Sequence, residues 1–148
     1  MTESNDVPPG AAALCGVHHV RLAVVNLERS FAWYRDVLGY RRDFDFRDGE
    51  RTLGWALLHD RGGPPLVLMH DPELARRAGD FAYFNLGAPD EAAVHALAAR
   101  LDALGVRHGG VHQALAAVKL TQVEDPDGYR IGFYVVGERD RIPPPPAG

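Results

Sequence analysis

Cysteine is almost absent from this chain, and the features that it lacks exclude several classes of protein. Cys15 is the only cysteine in 148 residues, so an intrachain disulfide framework and a paired-cysteine metal motif are both excluded. No apolar run approaches the ~18–20 residues that a membrane-spanning helix requires. The N-terminus is polar and acidic where a signal peptide is basic and then apolar. We therefore expect a cytoplasmic protein with no membrane partner.

An excess of positive charge is also missing. Lys and Arg number 16 and Asp and Glu number 20, which gives a formal net charge of −4, and the two signs are interspersed. Proteins that bind nucleic acid through its phosphates carry a basic patch, so we expect no nucleic-acid partner. With 46% hydrophobic and 24% charged residues, the composition is typical of one globular domain.

Both ends of the chain have the composition of flexible tails. Residues 1–16 combine Pro8-Pro9-Gly10 with a short alanine run, and residues 138–148 include Pro143 to Pro146. Such segments bury little apolar surface. The sequence therefore predicts one domain over 17–137, with an N-terminal tail at 1–16 and a Pro-rich C-terminal tail at 138–148.

A repeat organises the predicted domain. In its first half, residues 18–24 alternate and are rich in β-branched side chains, which indicates a strand. Asn26 then caps a helix over about 27–38, and Gly39 ends that helix.

The second half follows the same order. Residues 81–87 are a strand candidate, Asp90 caps a helix whose apolar residues recur at helical spacing, and Gly105 ends it. This helix exit lies 66 residues after the first one, and the turn that begins at Asp125 lies 65 residues after the turn that begins at Asp60. Two independent pairs of features thus give almost the same period.

Three further strands are predicted after each helix. They lie around Phe44, at 55–59 and at 66–70 in the first half, and around Val106, at 118–123 and at 129–136 in the second. The sequence therefore predicts an α+β fold of two tandem βαβββ modules, about 17–71 and 80–137. Because a helix covers only one face of each module, we expect a curved mixed sheet whose other face is a concave ligand cup.

Strand alternation assigns residues to the two faces of the predicted sheet. In the first, fifth and last strands the residues expected in the cup are His19, Arg21, Ala23, Phe81, Tyr83, Asn85, Gly87, Arg130, Gly132 and Tyr134. The pattern leaves the face of Trp55 open, because the parity of its strand is not fixed.

Two segments carry a resemblance to a known family. The first is His18-His19-Val20-Arg21-Leu22-Ala23-Val24 followed by residues 26–40, and the second runs from Asp125-Pro126-Asp127-Gly128 to Phe133. They resemble the vicinal oxygen chelate superfamily, which includes glyoxalase I, extradiol dioxygenases and bleomycin-resistance proteins. The resemblance covers about residues 17–136 and implies the paired-module fold. It does not select one function, because the superfamily contains isomerases, epimerases, dioxygenases, thiol transferases and drug-binding proteins.

The resemblance implies a divalent metal that four His or Glu side chains hold in the cup. The corresponding positions fall on His19, on Val67 or Leu68, on Tyr83 and on Gly132. Only the histidine is a ligand of the family type, and a catalytic metal generally needs about three protein ligands. We therefore expect a metal-independent protein without a cofactor. A site rebuilt from His59 and His70 is the alternative.

Three of the expected cup residues are candidates for acid–base chemistry. An imidazole titrates at about 6.5, so His19 would act as general acid or base. Arg21 and Tyr83 would stabilise a developing oxyanion. Each residue also has a structural interpretation, with His19 and Tyr83 as wall residues and Arg21 in a buried ion pair.

Further contacts with a substrate are expected from Trp55, Phe81, Asn85, Arg130 and Tyr134. The aromatic side chains offer flat surfaces, and the arginines favour an anionic or phenolic ligand. The Gly-rich segment 108–112 is a candidate lid over the cup. The Asp125-Pro126-Asp127-Gly128 turn is explained by turn geometry alone.

Three functions remain open at this point. The sequence favours a metal-independent enzyme of the isomerase, epimerase or cyclase type that acts on a small oxygenated molecule in natural-product metabolism. The alternative is a protein that binds an antibiotic or another small molecule without converting it, and a metal-dependent lyase or dioxygenase is disfavoured by the ligand count. The family implies a homodimer, for which open sheet edges give a physical basis.

Overall fold

A computed structural model describes residues 4–114 and 117–136 of the chain. The predicted C-terminal tail at 138–148 lies outside the described residues. Residues 4–19 precede the first strand and contain neither helix nor strand. Within the described residues, no helix is both long enough and apolar enough to cross a membrane.

The described elements fall into two modules joined by a short helix. The first module comprises β1 (Val20–Val24), α1 (Leu27–Leu38), β2 (Tyr40–Asp48), β3 (Arg51–His59) and β4 (Leu66–His70). The connecting helix is α2 (Pro72–Ala78). The second module comprises β5 (Asn85–Ala88), α3 (Glu91–Leu104), β6 (Val111–Ala114), β7 (Ala117–Glu124) and β8 (Arg130–Val135).

Each module forms its own four-stranded mixed sheet. The strand orders are β1-β4-β3-β2 and β5-β8-β7-β6. The β1–β4 and β5–β8 pairs are parallel, and the remaining pairs are antiparallel. The predicted α+β fold of two tandem βαβββ modules is therefore confirmed. In the described part of the chain the two sheets are separate hydrogen-bonded ladders rather than one.

The two long helices begin and end as predicted. The side chains of Asn26 and Asp90 accept hydrogen bonds from the backbone N–H groups three residues later, which satisfies donors that have no partner inside the helix. Gly39 and Gly105 end the helices in the left-handed conformation, at φ 81° and φ 69°. A side chain at either position would be strained.

Strand boundaries in the second module differ from the prediction. The fifth strand begins at Asn85 rather than 81. The chain turns before it at Asp80, which has φ 67° and donates its N–H to the Gly128 carbonyl. The sixth strand lies at 111–114 rather than around Val106, whose N–H instead bonds the Leu101 carbonyl at the end of α3.

Helix α2 was not predicted from the apolar pattern. Its start is explained by local chemistry, since the side chain of Asp71 accepts from the N–H of Leu74 and Pro72 occupies the first turn.

The turn between β7 and β8 holds the two modules together. Asp127 Oδ2 accepts from the hydroxyl of Ser30 at 3.1 Å, and its Oδ1 accepts from the N–H of Val25 at 3.2 Å. The hydroxyl of Tyr129 donates to the Ala23 carbonyl at 2.7 Å. One apolar core takes residues from both modules, so the sheets are fixed relative to each other by a shared interior.

Candidate functional site

The register of the first sheet places one row of side chains on the face turned away from α1, which we call the outer face. Arg21 pairs with Val67, Val67 with Ala56, and Ala56 with Phe44. The phenyl group of Phe44 is 55% exposed, whereas Ala56 and Val67 are buried. The row therefore has an aromatic ring at one end, a guanidinium at the other and a floor of small side chains between them.

A second row on the outer face also lacks a bulky side chain near its centre, at Gly54. Ala23 pairs with Met69, Met69 with Gly54, and Gly54 with Phe46. A Cβ atom at Gly54 would lie 2.6 Å from Met69 Sδ, so the thioether crosses the space that a side chain would occupy. The rings of Phe44 and Phe46 meet edge to face, with centroids 5.1 Å apart.

Arg21 is an exposed cation on the outer face. The described residues give it neither an ion pair nor a side-chain hydrogen bond. The buried ion pair that was the alternative interpretation of Arg21 is therefore not formed within the described part of the chain.

The three candidates for acid–base chemistry are not connected by the described contacts. His19 lies half-buried just before β1, and its Nδ1 is 2.9 Å from Nδ1 of His18. Tyr83 lies in the segment before β5, 51% exposed, and its hydroxyl donates to the Ala78 carbonyl at 2.7 Å. Of the three residues, Arg21 lies in β1 and His19 directly precedes that strand, whereas Tyr83 is tied to the end of α2.

Trp55, predicted as a possible stacking platform, does not lie on the outer face. Trp55 pairs with Leu68, which lies in the core, and is only 9% exposed. Its indole meets Phe31 of α1 edge to face at 5.9 Å, and the guanidinium of Arg42 lies 4.6 Å from the ring centroid. The residue therefore packs between sheet and helix. The sequence pattern left open which side of the sheet each residue of β3 faces. The strand register decides it, and Trp55 faces α1.

The second sheet carries the remaining predicted contact residues, with different surroundings. Asn85 pairs with Gly132, and its amide oxygen occupies the space that a side chain at 132 would need. Tyr134 is exposed on the same strand. Arg130 forms an ion pair with Asp80 and a hydrogen bond to Gln122. Phe81 is exposed in the segment before β5 and packs on Tyr83.

The residues at the four positions of the family's metal site do not fit a divalent metal. The register resolves the uncertain position, because Val67 lies on the outer face and Leu68 in the core. A valine and Gly132 offer no ligand atom, and the hydroxyl of Tyr83 is already a donor to a backbone carbonyl. Within 4–114 and 117–136, no group of three His, Cys, Asp or Glu side chains is placed to hold a metal.

A site rebuilt from His59 and His70 is contradicted by the topology. His59 lies beside the β3–β4 turn, whereas His70 lies at the far end of β4. His70 lies four residue steps along the strand from Leu66 at the near end, a distance of about 13 Å. The Nε2 atom of His59 is 2.9 Å from the Leu38 carbonyl, and its Nδ1 accepts from the N–H of Arg61.

The predicted lid over 108–112 is bonded to the second sheet. Val111 and His112 belong to β6, and the N–H of Gly109 donates to the Thr121 carbonyl at 2.7 Å. A Cβ atom at Gly109 would lie 2.6 Å from Thr121 Oγ1. These contacts fix the segment against β7 instead of leaving it free over an entrance.

The strongest electrostatic perturbation lies away from the outer face. Asp125 is 4% exposed, and burial raises the pKa of its carboxyl group from the ordinary 3.8 to about 6. Tyr34 donates to it at 2.8 Å. Burial and the adjacent carboxylate raise the pKa of Tyr34 well above its usual value. This buried pair joins α1 to the β7–β8 turn and has a structural role.

Two features were missed by the sequence analysis. Phe44 was recognised only as the centre of a strand, although the alternation of Phe44 and Phe46 with Asp43 and Asp45 marks an aromatic face. The second feature is a cavity of about 640 Å³ between the modules. No pattern in the sequence points to it, because it depends on how the two modules pack.

Paired βαβββ modules around a shared core define the class of fold to which glyoxalases belong. The chain belongs to the Glyoxalase/Bleomycin resistance protein/Dioxygenase superfamily, whose family model matches residues 16–133. The resemblance found in the sequence is thereby confirmed. Among curated proteins, none matches this chain.

Several solved structures share the fold. An antibiotic binding protein, TnmS3 from Streptomyces sp. CB03234, aligns with a TM-score of 0.69 and 22% identity over 86% of this chain and 100% of the other. A superfamily domain from Frankia sp. EAN1pec aligns with a TM-score of 0.70 and 21% identity over 85% and 95%. A lactoylglutathione lyase from Agrobacterium tumefaciens aligns with a TM-score of 0.63 and 21% identity over 86% and 95%. Because these proteins differ in activity, the likeness establishes the fold alone.

Proposed function

We propose that the protein captures a small planar anion, such as an aromatic carboxylate or phenolate, on the outer face of its first sheet and does not convert it. The observation that carries the proposal is the row from Phe44 to Arg21 over a floor of Ala56 and Val67. An exposed ring, together with a guanidinium that has no ion-pair partner among residues 4–114 and 117–136, matches a flat ligand that has one charged end.

The dimensions of the row support this ligand class. Phe44 and Arg21 are three strand spacings apart, which is about 14 Å at about 4.8 Å per spacing. A fused aromatic system of two or three rings would lie between them, with one face towards the floor and one edge near Phe44. The carboxylate or phenolate oxygen would then accept from the guanidinium of Arg21, a charge-assisted hydrogen bond.

Capture is favoured over catalysis because the chemistry that an enzyme needs is not assembled on this face. The hydroxyl of Tyr83, the expected oxyanion donor, is held by the Ala78 carbonyl. The ring of His19 lies against that of His18. The likeness to an antibiotic binding protein is consistent with capture. Because the chain also resembles a lyase, these two comparisons do not decide between capture and catalysis.

An acid–base enzyme remains the second candidate, and one observation favours it. His19 directly precedes β1 and lies two residues before Arg21, and an extended chain at this point would turn both side chains to the same side of the sheet. An imidazole beside a guanidinium could move a proton while the cation stabilises an enolate. This candidate requires His19 to be essential, whereas capture does not.

The two ends of the row, Phe44 and Arg21, are exposed in a single chain, so we propose that a second copy covers them. Small-molecule sites bury most of their ligand's surface, and Phe44 is 55% exposed here. A homodimer of symmetric modules would supply the missing wall. Sedimentation velocity over a concentration series should therefore give a dimer, and a monomer at every concentration would contradict this part of the proposal.

The test of capture measures binding of 2-naphthoate by isothermal titration calorimetry. Loss of a charge-assisted hydrogen bond costs about 1.5–3 kcal/mol, so Arg21→Gln should weaken binding about tenfold to a hundredfold. Phe44→Ala should also weaken it. The control Arg77→Gln removes an exposed arginine on α2 and should leave the affinity unchanged. Equal affinity of Arg21→Gln and wild type would contradict the proposal.

The test of catalysis uses an enolisable bicyclic ketone, 2-tetralone, in deuterated buffer. An acid–base enzyme would accelerate exchange of its α-protons, followed by NMR, and His19→Gln would abolish the acceleration. Capture predicts the uncatalysed exchange rate for both proteins. It also predicts that His19→Gln binds 2-naphthoate as the wild type does.

A further inference from the structure

A cavity of about 640 Å³ lies between the two modules, on the core side of their sheets. Its walls come from the C-terminal end of α1, the β3–β4 turn, β5 and α3. It is separate from the row that runs from Phe44 to Arg21, none of whose residues lines it. We call this cavity the intermodule cleft.

The intermodule cleft has the volume of a ligand site. It is partly open to solvent, and ligand sites span about 300–1,000 Å³. Its apolar walls include Leu66, Leu86, Leu97 and Phe133. Among the described residues that line it, Arg61 in the exposed turn is the one with a formal charge at neutral pH. The cleft therefore suits a neutral, largely apolar molecule.

Tyr40 supplies a polar group to the intermodule cleft. It is 7% exposed, and its hydroxyl has no hydrogen-bond partner among the described residues. In those residues no fully buried side-chain polar atom lacks a partner, so this hydroxyl reaches accessible space, and Tyr40 lines the cleft. Burial raises the pKa of Tyr40, so the hydroxyl keeps its proton and can donate or accept.

His59, the neighbour of Tyr40, has no ring nitrogen left for a ligand. The Tyr40 hydroxyl therefore remains as the available polar contact. His59 packs edge to face on the tyrosine ring, with centroids 5.1 Å apart. Both of its ring nitrogens are engaged, Nε2 with the Leu38 carbonyl and Nδ1 with the N–H of Arg61. The imidazole is therefore a fixed wall, and Asn85 adds an amide at the side of β5.

We propose that the intermodule cleft is a second binding site, for a neutral molecule of one or two rings whose single hydroxyl or carbonyl group hydrogen-bonds to Tyr40. This site differs in place and in ligand charge from the outer face, and it does not depend on the function proposed there.

The experiment titrates the full chain with 2-naphthol, which is neutral at neutral pH, and with naphthalene, by equilibrium dialysis. Ala93 lines the cleft from α3, so Ala93→Phe should fill it and weaken binding of both probes at least tenfold. Ala96→Phe is the matched control, because Ala96 lies on the exposed side of the same helix. Tyr40→Phe should weaken 2-naphthol about threefold to tenfold and leave naphthalene unchanged.

The outcomes distinguish this proposal from the one about the outer face. Binding of 2-naphthol that persists in Arg21→Gln supports the cleft, and binding that is lost in that variant overturns it. Absence of saturable binding, or equal binding by Ala93→Phe and Ala96→Phe, also overturns it. If Ala93→Phe changes the oligomeric state instead, a second copy fills the cleft and the proposal is wrong. If Ala93→Phe shows no cooperative unfolding transition, and so is not folded, Tyr40→Phe provides the second readout.

Discussion

Removing the hydroxyl of Tyr34 should destabilise the protein more at pH 8 than at pH 5. This hydroxyl donates to the Asp125 carboxyl at 2.8 Å, and both residues are buried. A hydrogen bond to a charged group contributes about 1.5–3 kcal/mol, against about 0.5–1.5 kcal/mol for a neutral pair. Tyr34→Phe should therefore lower the free energy of unfolding by about 1 kcal/mol more when Asp125 is ionised.

The pKa of Asp125 gives the pH window of this effect. Burial raises it from 3.8 to about 6, so the folded state holds this proton more tightly than the unfolded state. The resulting stabilisation is complete below about pH 4 and is lost as the pH rises through about 6. A shift of about two units corresponds to about 3 kcal/mol from this group alone. Without the tyrosine hydroxyl the carboxylate is less favoured, so the pKa rises further in Tyr34→Phe.

Urea unfolding of both proteins at pH 5 and pH 8 measures the difference. Exposed carboxyls such as Asp36, whose pKa is lowered by the hydrogen bond from Arg35, affect wild type and variant equally and cancel. Tyr129→Phe is the matched control, because the Tyr129 hydroxyl donates to the neutral Ala23 carbonyl at 2.7 Å. Its cost should be the same at both pH values. A Tyr34→Phe cost that is constant, or larger at pH 5, would refute the reasoning.

Three further substitutions test the packing that positions the candidate site. Trp55→Ala should cost about 3–5 kcal/mol of unfolding free energy as a core truncation, whereas a cost near zero with lost 2-naphthoate binding would restore Trp55 as a ligand platform. Gly39→Ala should cost about 1–2 kcal/mol, because a side chain is strained at φ 81°, and its Cβ would lie 3.3 Å from His59 Nε2; an unchanged melting temperature would contradict this. Asn26→Ala should cost about 1 kcal/mol through loss of the α1 cap, and no change in urea midpoint would show that the cap is replaced.

The fold could be predicted because the residues that begin and end its long helices act locally. Asn26, Gly39, Asp90 and Gly105 act through their own side chains or backbone angles, so the sequence places both long helices correctly. The strands were less certain where the chain turns through long-range contacts. Asp80 turns the chain because its N–H meets the carbonyl of Gly128, a residue far along the sequence.

The candidate site was only partly predictable, since faces depend on register. Alternation placed Arg21 on the outer side of β1 without error, because β1 is short and regular. For Trp55 and Val67 a shift of one residue exchanges the side that faces α1 and the outer face, and only the pairing with neighbouring strands decides. The pattern placed Tyr83 in a strand, but that strand begins later, at Asn85. The hydroxyl of Tyr83 donates instead to the Ala78 carbonyl at the end of α2.

The two proposed sites follow from one feature of the paired-module fold. Each module has one long helix, which packs on one side of its sheet, and the modules meet around a core that does not fill the space between them. The outer face of the first sheet carries the exposed Phe44 and Arg21 and favours a planar anion. The space between the modules is lined by apolar side chains and the Tyr40 hydroxyl and favours a neutral molecule. Because charge separates the two ligand classes, 2-naphthoate and 2-naphthol should not compete, and competition between them would place both in a single site.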